Sequence, residues 1–204
     1  MQVIEIPCQL LNLNKYFPMK RTFIAVDVRA GEQMTRMIEE SRKILRDEKI
    51  RWVHPQKIHI TLKFLGDTAE EDIPAIITEL NTALSDFPAF TMRFKGAGVF
   101  RNLHDPRVFW IGIEAGDDLS SIRNKLEDTM NGLGFEREEK SFSPHLTLAR
   151  IKYIRRKDLL KELLEKYKET DLQETQVKKI IYYESILKPG GPEYIVLSEI
   201  PLRD

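Results

Sequence analysis

Cysteine is almost missing from this chain: Cys8 is the only one in 204 residues. No disulfide can form within it, and a reducing, cytoplasmic setting is expected. Net charge is missing too, because Lys+Arg and Asp+Glu both number 32. Any affinity for nucleic acid must then come from a local basic surface. No apolar run approaches the roughly 18 residues that a membrane span requires. Residues 1–18 have no basic residue before Lys15, no long apolar stretch and no small-residue cleavage site, so no signal peptide is expected. There is no GxxxxGK[ST] loop to cradle a nucleotide's phosphates, and Lys188-Pro189-Gly190-Gly191 reads as a turn. Four well-separated histidines and one cysteine give no zinc-ligand spacing. Secreted, membrane-spanning, ATP-driven and zinc-dependent classes are thereby disfavoured, and neither metal nor cofactor is expected.

What is present is an ordinary globular composition, 42% hydrophobic and 31% charged, with enough length for one domain with a sizeable core. A short motif occurs twice, His59-Ile60-Thr61-Leu62 and His145-Leu146-Thr147-Leu148, 86 residues apart (59 to 145). Its surroundings repeat at about the same offset. The β-branched run Thr22–Val28 is matched by Arg107–Glu114, and both read as strands. Amphipathic helices follow over Glu32–Asp47 and Asp117–Leu133, the second with Leu119, Ile122, Leu126, Met130 and Leu133 on one face. After each His-x-Thr segment comes another helix, carrying Ile73 to Leu84 in one half and Leu159 to Tyr167 in the other. Closing strands are expected at Ala89–Val99 and at Thr175–Tyr183, the latter followed across a Pro-Gly-Gly-Pro turn by Tyr194–Leu197. The reading is an α+β chain with one bilobal domain over 19–204, built from repeats at about 22–99 and 107–199. Two pseudo-twofold-related lobes with antiparallel sheets would flank a central groove, helices outside. Residues 1–18 read as an extension before a natural start at Met19, or as a short genuine strand or tail.

Alternation along a strand puts His59, Thr61 and Lys63 on one face and Ile58, Ile60, Leu62 and Phe64 on the core face. In the second copy Ser143, His145 and Thr147 share the first kind of face, and Phe142, Leu146 and Leu148 the second. Imidazole, hydroxyl and ammonium are the groups wanted around an oxyanion. In-line cleavage of a phosphodiester needs a base on the attacking water and an acid on the leaving oxygen. Histidine, with an unperturbed pKa of about 6.5, serves either role near neutrality. Thr61 and Thr147 would donate hydrogen bonds to the non-bridging oxygens.

At this point the chain resembles the 2H phosphoesterases, and within them the RNA 2′,3′-cyclic phosphodiesterases once called 2′-5′ RNA ligases. The resemblance runs from about Lys20 to Leu202. It is carried by RTFIAVDV, IRWVHPQKIHITLKFLGD, RVFWIGIE, GFEREEKSFSPHLTLARIK and YYESILKPGGPEYIVL. It implies a bilobal α+β fold and metal-independent hydrolysis of RNA 2′,3′-cyclic phosphate ends to 2′-phosphomonoesters, with reversible ATP-independent 2′-5′ ligation as a companion activity. It also implies His59 as proton donor and His145 as proton acceptor, an assignment that spacing alone does not rank. Arg150 matches an arginine that follows the second motif in the family. Strand alternation sets it on the face opposite His145 unless the strand bulges or ends first. The implied partner is RNA bearing a cyclic phosphate end, tRNA fragments among the candidates, acted on by a monomer with no membrane association. Two alternatives stand beside this reading. One is a non-catalytic module that captures RNA ends; the other is a phosphodiesterase for 2′-5′ oligonucleotides or small cyclic phosphates.

Two stretches are rich enough in base to supply a local positive surface: Arg93, Lys95, Arg101 and Arg107 over 91–110, and Arg150, Lys152, Arg155, Arg156 and Lys157 over 150–157. A solvated face is the simpler reading of Arg155–Lys157. His54 and His104 read as surface-loop histidines. Phe23, Phe64 and Phe142 read as core, and one of Phe109 and Trp110 is expected in the core.

Overall fold

The computed structural model describes residues 18–139 and 142–204; the expectation for residues 1–17 lies outside them. Nine strands and four helices run in the order β1 (Met19–Asp27), α1 (Glu32–Ile44), β2 (Lys49–Trp52), β3 (His59–Ala69), α2 (Ile73–Leu84), β4 (Phe90–Phe100), β5 (Val108–Glu114), α3 (Asp118–Gly132), β6 (His145–Tyr153), α4 (Lys157–Tyr167), β7 (Asp171–Val177), β8 (Lys179–Lys188) and β9 (Gly191–Pro201). The helices form where apolar residues recur every three or four positions. Met34, Met37 and Ile38 of α1 and Leu119, Ile122, Leu126 and Met130 of α3 are all buried. Arg42 and Lys43 in the last turn of α1 suit the negative end of its dipole. Among the described residues no helix is long and apolar enough to cross a membrane.

The strands make two antiparallel sheets, ordered β3-β1-β8-β9 and β2-β6-β5-β4-β7. Apart from β2, the two orders correspond position by position: β3 to β6, β1 to β5, β8 to β4, β9 to β7. The closing strand of each half therefore crosses over. β4 pairs with β5 and β7, and β8 pairs with β1 and β9. Helix α2 packs on α3, and α3 on β3, so the halves also meet through their helices. Two details depart from the sequence expectation. The single strand expected at Thr175–Tyr183 is broken at Lys178, its first part staying in one sheet and its second entering the other. Strand β2 is additional, and it borders β6.

A larger departure concerns alternation. In the β1–β3 ladder Ala25 faces Thr61 and Ile24 faces Lys63, so Leu62 has no opposite residue. In the β5–β6 ladder Phe109 faces Ala149 and Trp110 faces Thr147, so Leu148 has none. These bulges stand 86 residues apart, like the motifs (62 to 148). Each sends two consecutive side chains into the interior, Leu62 with Lys63 and Leu148 with Ala149, and thereby changes the face of the residue that follows, Phe64 or Arg150; β3 slips once more at Leu65. The first six residues of β3 and β6 have the same sequence of buried and accessible positions. Lys63, expected beside His59 on the groove face, is instead 0% exposed, and Phe64, expected in the core, is 55% exposed.

The buried ammonium is held by two acceptors. Lys63 donates to Glu127 of α3 at 2.6 Å and to the carbonyl of Glu136 at 2.9 Å. Glu127 also accepts from the backbone N–H of Glu138, and Arg123 approaches both Glu127 and Glu138. This ionic cluster ties β3 to α3 and to the segment that leads into β6. Truncating one partner strands the other charge in the interior. Lys63→Met should therefore lower stability by about 3–5 kcal/mol in urea denaturation, and adding Glu127→Leu should restore part of the loss. A single variant as stable as the parent would show that the pair is dispensable.

Candidate active site

His59 opens β3 and His145 opens β6, in different sheets, and these two strands approach one another across the molecule. Both rings line one cleft of about 1070 Å³. Each is anchored by the same local device. His59 Nδ1 lies 2.9 Å from the carbonyl oxygen of Lys57, and His145 Nδ1 lies 2.8 Å from that of Ser143. A carbonyl can only accept, so Nδ1 carries the hydrogen in both rings and Nε2 is left to exchange a proton. Aromatic rings fix the orientations further. His59 is flanked by Phe23 at 5.1 Å and by the edge of Tyr194 at 5.0 Å. His145 stands edge-on to Phe100 at 4.6 Å, and Trp110 backs Phe100 at 5.4 Å. Phe109 is buried, as expected of one of that pair.

Thr61 and Thr147 border the same cleft as their histidines. So does Arg150, because the bulge at Leu148 restores it to the face that carries His145 and Thr147. Its counterpart by position is Phe64, turned out of the core by the bulge at Leu62. Phe142 is likewise half-buried at the cleft, beneath the Arg123 guanidinium at 5.1 Å. Phe64 is therefore not the core residue expected, whereas Phe142 does pack against the core from the cleft side.

The cleft is electropositive although the chain is neutral. Arg21, Arg42, Arg46, Arg51, Lys57, Arg123 and Arg150 border it, against two carboxylates. Both carboxylates are engaged: Glu48 accepts from the backbone N–H groups of Arg155 and Arg156, and Glu138 pairs with Arg123. The two basic stretches expected from sequence contribute only Arg150. Arg93 pairs with Glu174, Lys95 with Glu169, Arg101 and Arg107 with Asp105, and Arg156 with Asp158. His54 accepts a hydrogen bond from the backbone N–H of Gln56 at the cleft margin, and His104 is exposed in its loop.

Sequence reasoning missed Phe64, Phe100, Tyr194 and the residue 42–57 arginines. One available signal was the 86-residue offset, which maps Phe64 onto Arg150. Tyr194 lies within electrostatic reach of the other sheet. Burial pushes its hydroxyl pKa up, opposed by the positive charge of Arg150 from the other sheet. Among the described residues no three His, Cys, Asp or Glu side chains gather in a metal-binding arrangement.

Comparisons with known proteins bear on the family and the fold. The LigT-like phosphoesterase family model matches twice, over residues 24–110 and 111–194. The RNA 2′,3′-cyclic phosphodiesterase of Methanocaldococcus jannaschii is 36% identical over 179 residues, 88% of this chain and 99% of that protein. The protein of the same name from Thermotoga maritima is 38% identical over 181 residues, covering 88% and 94%. The crystal structure of TT0787 of Thermus thermophilus superposes with a TM-score of 0.72 at 27% identity, over 90% of this chain and 98% of that one.

Removal from water holds the His59 pKa below the ordinary histidine value, against the opposing pull of the Lys57 carbonyl and the Asp27 charge. In the free protein, NMR titration of the His59 ring should therefore give a midpoint below about 6.5, rising when inorganic phosphate is added. A midpoint above 6.5 without phosphate would refute desolvation as the dominant influence.

Proposed function

Because this chain belongs to the LigT-like phosphoesterase family, we propose that it hydrolyses RNA 2′,3′-cyclic phosphate ends to 2′-phosphomonoesters by paired-histidine acid–base catalysis. The observation that carries the reading is the matched pair of imidazoles on one cleft, each with Nδ1 committed to a backbone carbonyl. A module that only captured phosphate would need fixed cations more than two titratable rings in the same tautomer.

In the proposed step, His145 Nε2 takes a proton from water as the water oxygen bonds to phosphorus. The P–O3′ bond breaks, and His59 Nε2 protonates the departing 3′ oxygen. Charge that grows on the non-bridging oxygens is met by the Thr61 and Thr147 hydroxyls and by the Arg150 guanidinium. Phe64 offers an exposed aromatic face on the side of the cleft where Arg150 has no twin, suited to a base of the terminal nucleotide. No step calls for a metal. A 5′-hydroxyl in the water's place would give a 2′-5′ linkage by the same proton transfers. Residues 19–204 act in this reading as one bilobal domain.

His59→Ala and His145→Ala should each lower kcat by about 10²–10⁴-fold with the fold retained by circular dichroism. The assay is turnover, in EDTA, of an RNA ending in a cyclic phosphate, with the product's phosphate position read by ³¹P NMR. An unimpaired rate in either variant would refute the two-histidine mechanism, and loss of activity to EDTA with recovery on zinc would refute metal independence.

The lowered His59 pKa gives a test of its role. As the acid it must be protonated, so kcat/KM should fall as pH rises through the midpoint that NMR assigns to His59. If the limb at that midpoint instead falls toward low pH, His59 is the base and the two assignments exchange.

A further inference from the structure

Arg51 and Arg150 are direct cross-strand partners in the β2–β6 ladder, so both side chains leave the sheet on the same face, the one lining the cleft. Like charges set opposite each other in a ladder are destabilising. Eight arginines of the described residues sit against acids; Arg51 and Arg150 do not, and neither do Arg21 and Arg42 elsewhere on the cleft, but only Arg51 and Arg150 face each other across a ladder. The carboxylates at the cleft do not relieve them, since Glu48 and Glu138 are bound to protein groups. An uncompensated pair of guanidiniums held one strand apart is a site arranged for more than one anionic group.

The outer member of the pair is solvent-exposed and has a neighbour from the other sheet. Strand β2 is the edge of its sheet, and the β8–β9 turn from the other sheet closes against it. Gly191 takes a backbone conformation that favours glycine (φ +119), and a Cβ there would stand 2.8 Å from Arg51 Nη2, so the turn comes close to the tip of this side chain. Beside it Lys57 donates to the Pro192 carbonyl at 2.7 Å. Arg51 thus stands exposed at the cleft margin, outboard of Arg150 and beside the turn of the other sheet, where an incoming strand can reach it. The cleft volume of about 1070 Å³ is at the upper end of what a whole drug-sized ligand fills, which leaves room beyond one nucleotide.

We propose that Arg51 forms a second anion subsite, which takes the phosphodiester on the 5′ side of the terminal nucleotide. This rests on the phosphodiesterase reading above. A cyclic phosphate uses both the 2′ and the 3′ oxygens of its ribose, so the strand continues only through the 5′ oxygen. Cross-strand neighbours have Cα atoms about 4.5–5.5 Å apart, and long guanidinium side chains from them reach successive phosphates. Arg150 then serves the reacting phosphate and Arg51 the next, and the enzyme favours an RNA end over a free cyclic mononucleotide.

The test compares kcat/KM for adenosine 2′,3′-cyclic phosphate with that for a tri-adenylate ending in the same group. The parent should prefer the trinucleotide, and that preference should shrink about tenfold in Arg51→Ala, the loss expected for one charge-assisted contact. Arg51→Gln, which keeps most of the side chain's packing, should shrink it similarly. An unchanged preference, or an equal fall on both substrates, would overturn the subsite and leave Arg51 as a support for the turn. If the parent turned over neither substrate, the phosphodiesterase reading would fail by itself. Anisotropy of 5′-fluorescein hexa-adenylate would then decide the subsite. Weaker binding by Arg51→Ala, with the salt slope shallower by about 0.7, supports it, and identical isotherms overturn it.

Discussion

In β3 and again in β6 the antiparallel ladder skips the residue that follows the motif threonine, Leu62 in the first and Leu148 in the second. Two consecutive side chains then enter the interior, and the residue beyond them changes face. Without that slip, Lys63 would point at the cleft and Phe64 and Arg150 would point away from it. A strand with a strict period of two could offer the histidine and the threonine to an anion but not a third group at the observed place. The bulge is therefore the constraint on which the composition of the cleft depends. It occurs at the same point of both strands, one residue after the threonine.

The two strands share this backbone device but not its cargo. Where β6 buries the small Ala149, β3 buries Lys63, and Glu127 answers it from α3, at the position where the sequence offset places Ser41 in α1. Where β6 presents Arg150, β3 presents Phe64. One side of the cleft thus carries charge at the surface, and the other carries it inside and shows an aromatic ring. A substrate with a phosphate at one end and a base at the other has that same polarity, which favours one of two orientations that the pseudo-twofold arrangement would otherwise leave nearly equivalent. The buried ionic cluster has a second effect, since it fixes the segment around Glu136 and Glu138 that leads toward Ser143 and His145.

Charge is distributed with equal economy. The chain as a whole is neutral, and many of its surface arginines and lysines face acids at short range, where solvent and salt leave little net field. In the cleft the acids are turned to backbone N–H groups or to Arg123, and Arg21, Arg42, Arg51 and Arg150 have no acid partner among the described residues. The local field is set by which cations lack partners and not by how many cations there are. The aromatic rings beside His59 and His145 hold Nε2 of each imidazole at a defined place, and at His59 burial also removes water from the ring.

The amino-acid sequence by itself determined the α+β class, the four helices, most of the strands and the two His-x-Thr segments, since each rests on local periodicity and on a repeated motif. It also carried the family likeness through landmarks spread along the chain. The features it left open depended on partners distant in sequence. The crossing of β4 and β8 into each other's sheets, the added edge strand β2, and the break at Lys178 were settled by which edges were free to pair. The faces of Lys63, Phe64 and Arg150 were decided by a register slip against β1 and β5, and such a slip exists only once the neighbouring strand is in place. The basic wall from Arg42 to Lys57 was overlooked for the same reason: charges scattered among acids in sequence become a field only when tertiary packing occupies the acids elsewhere.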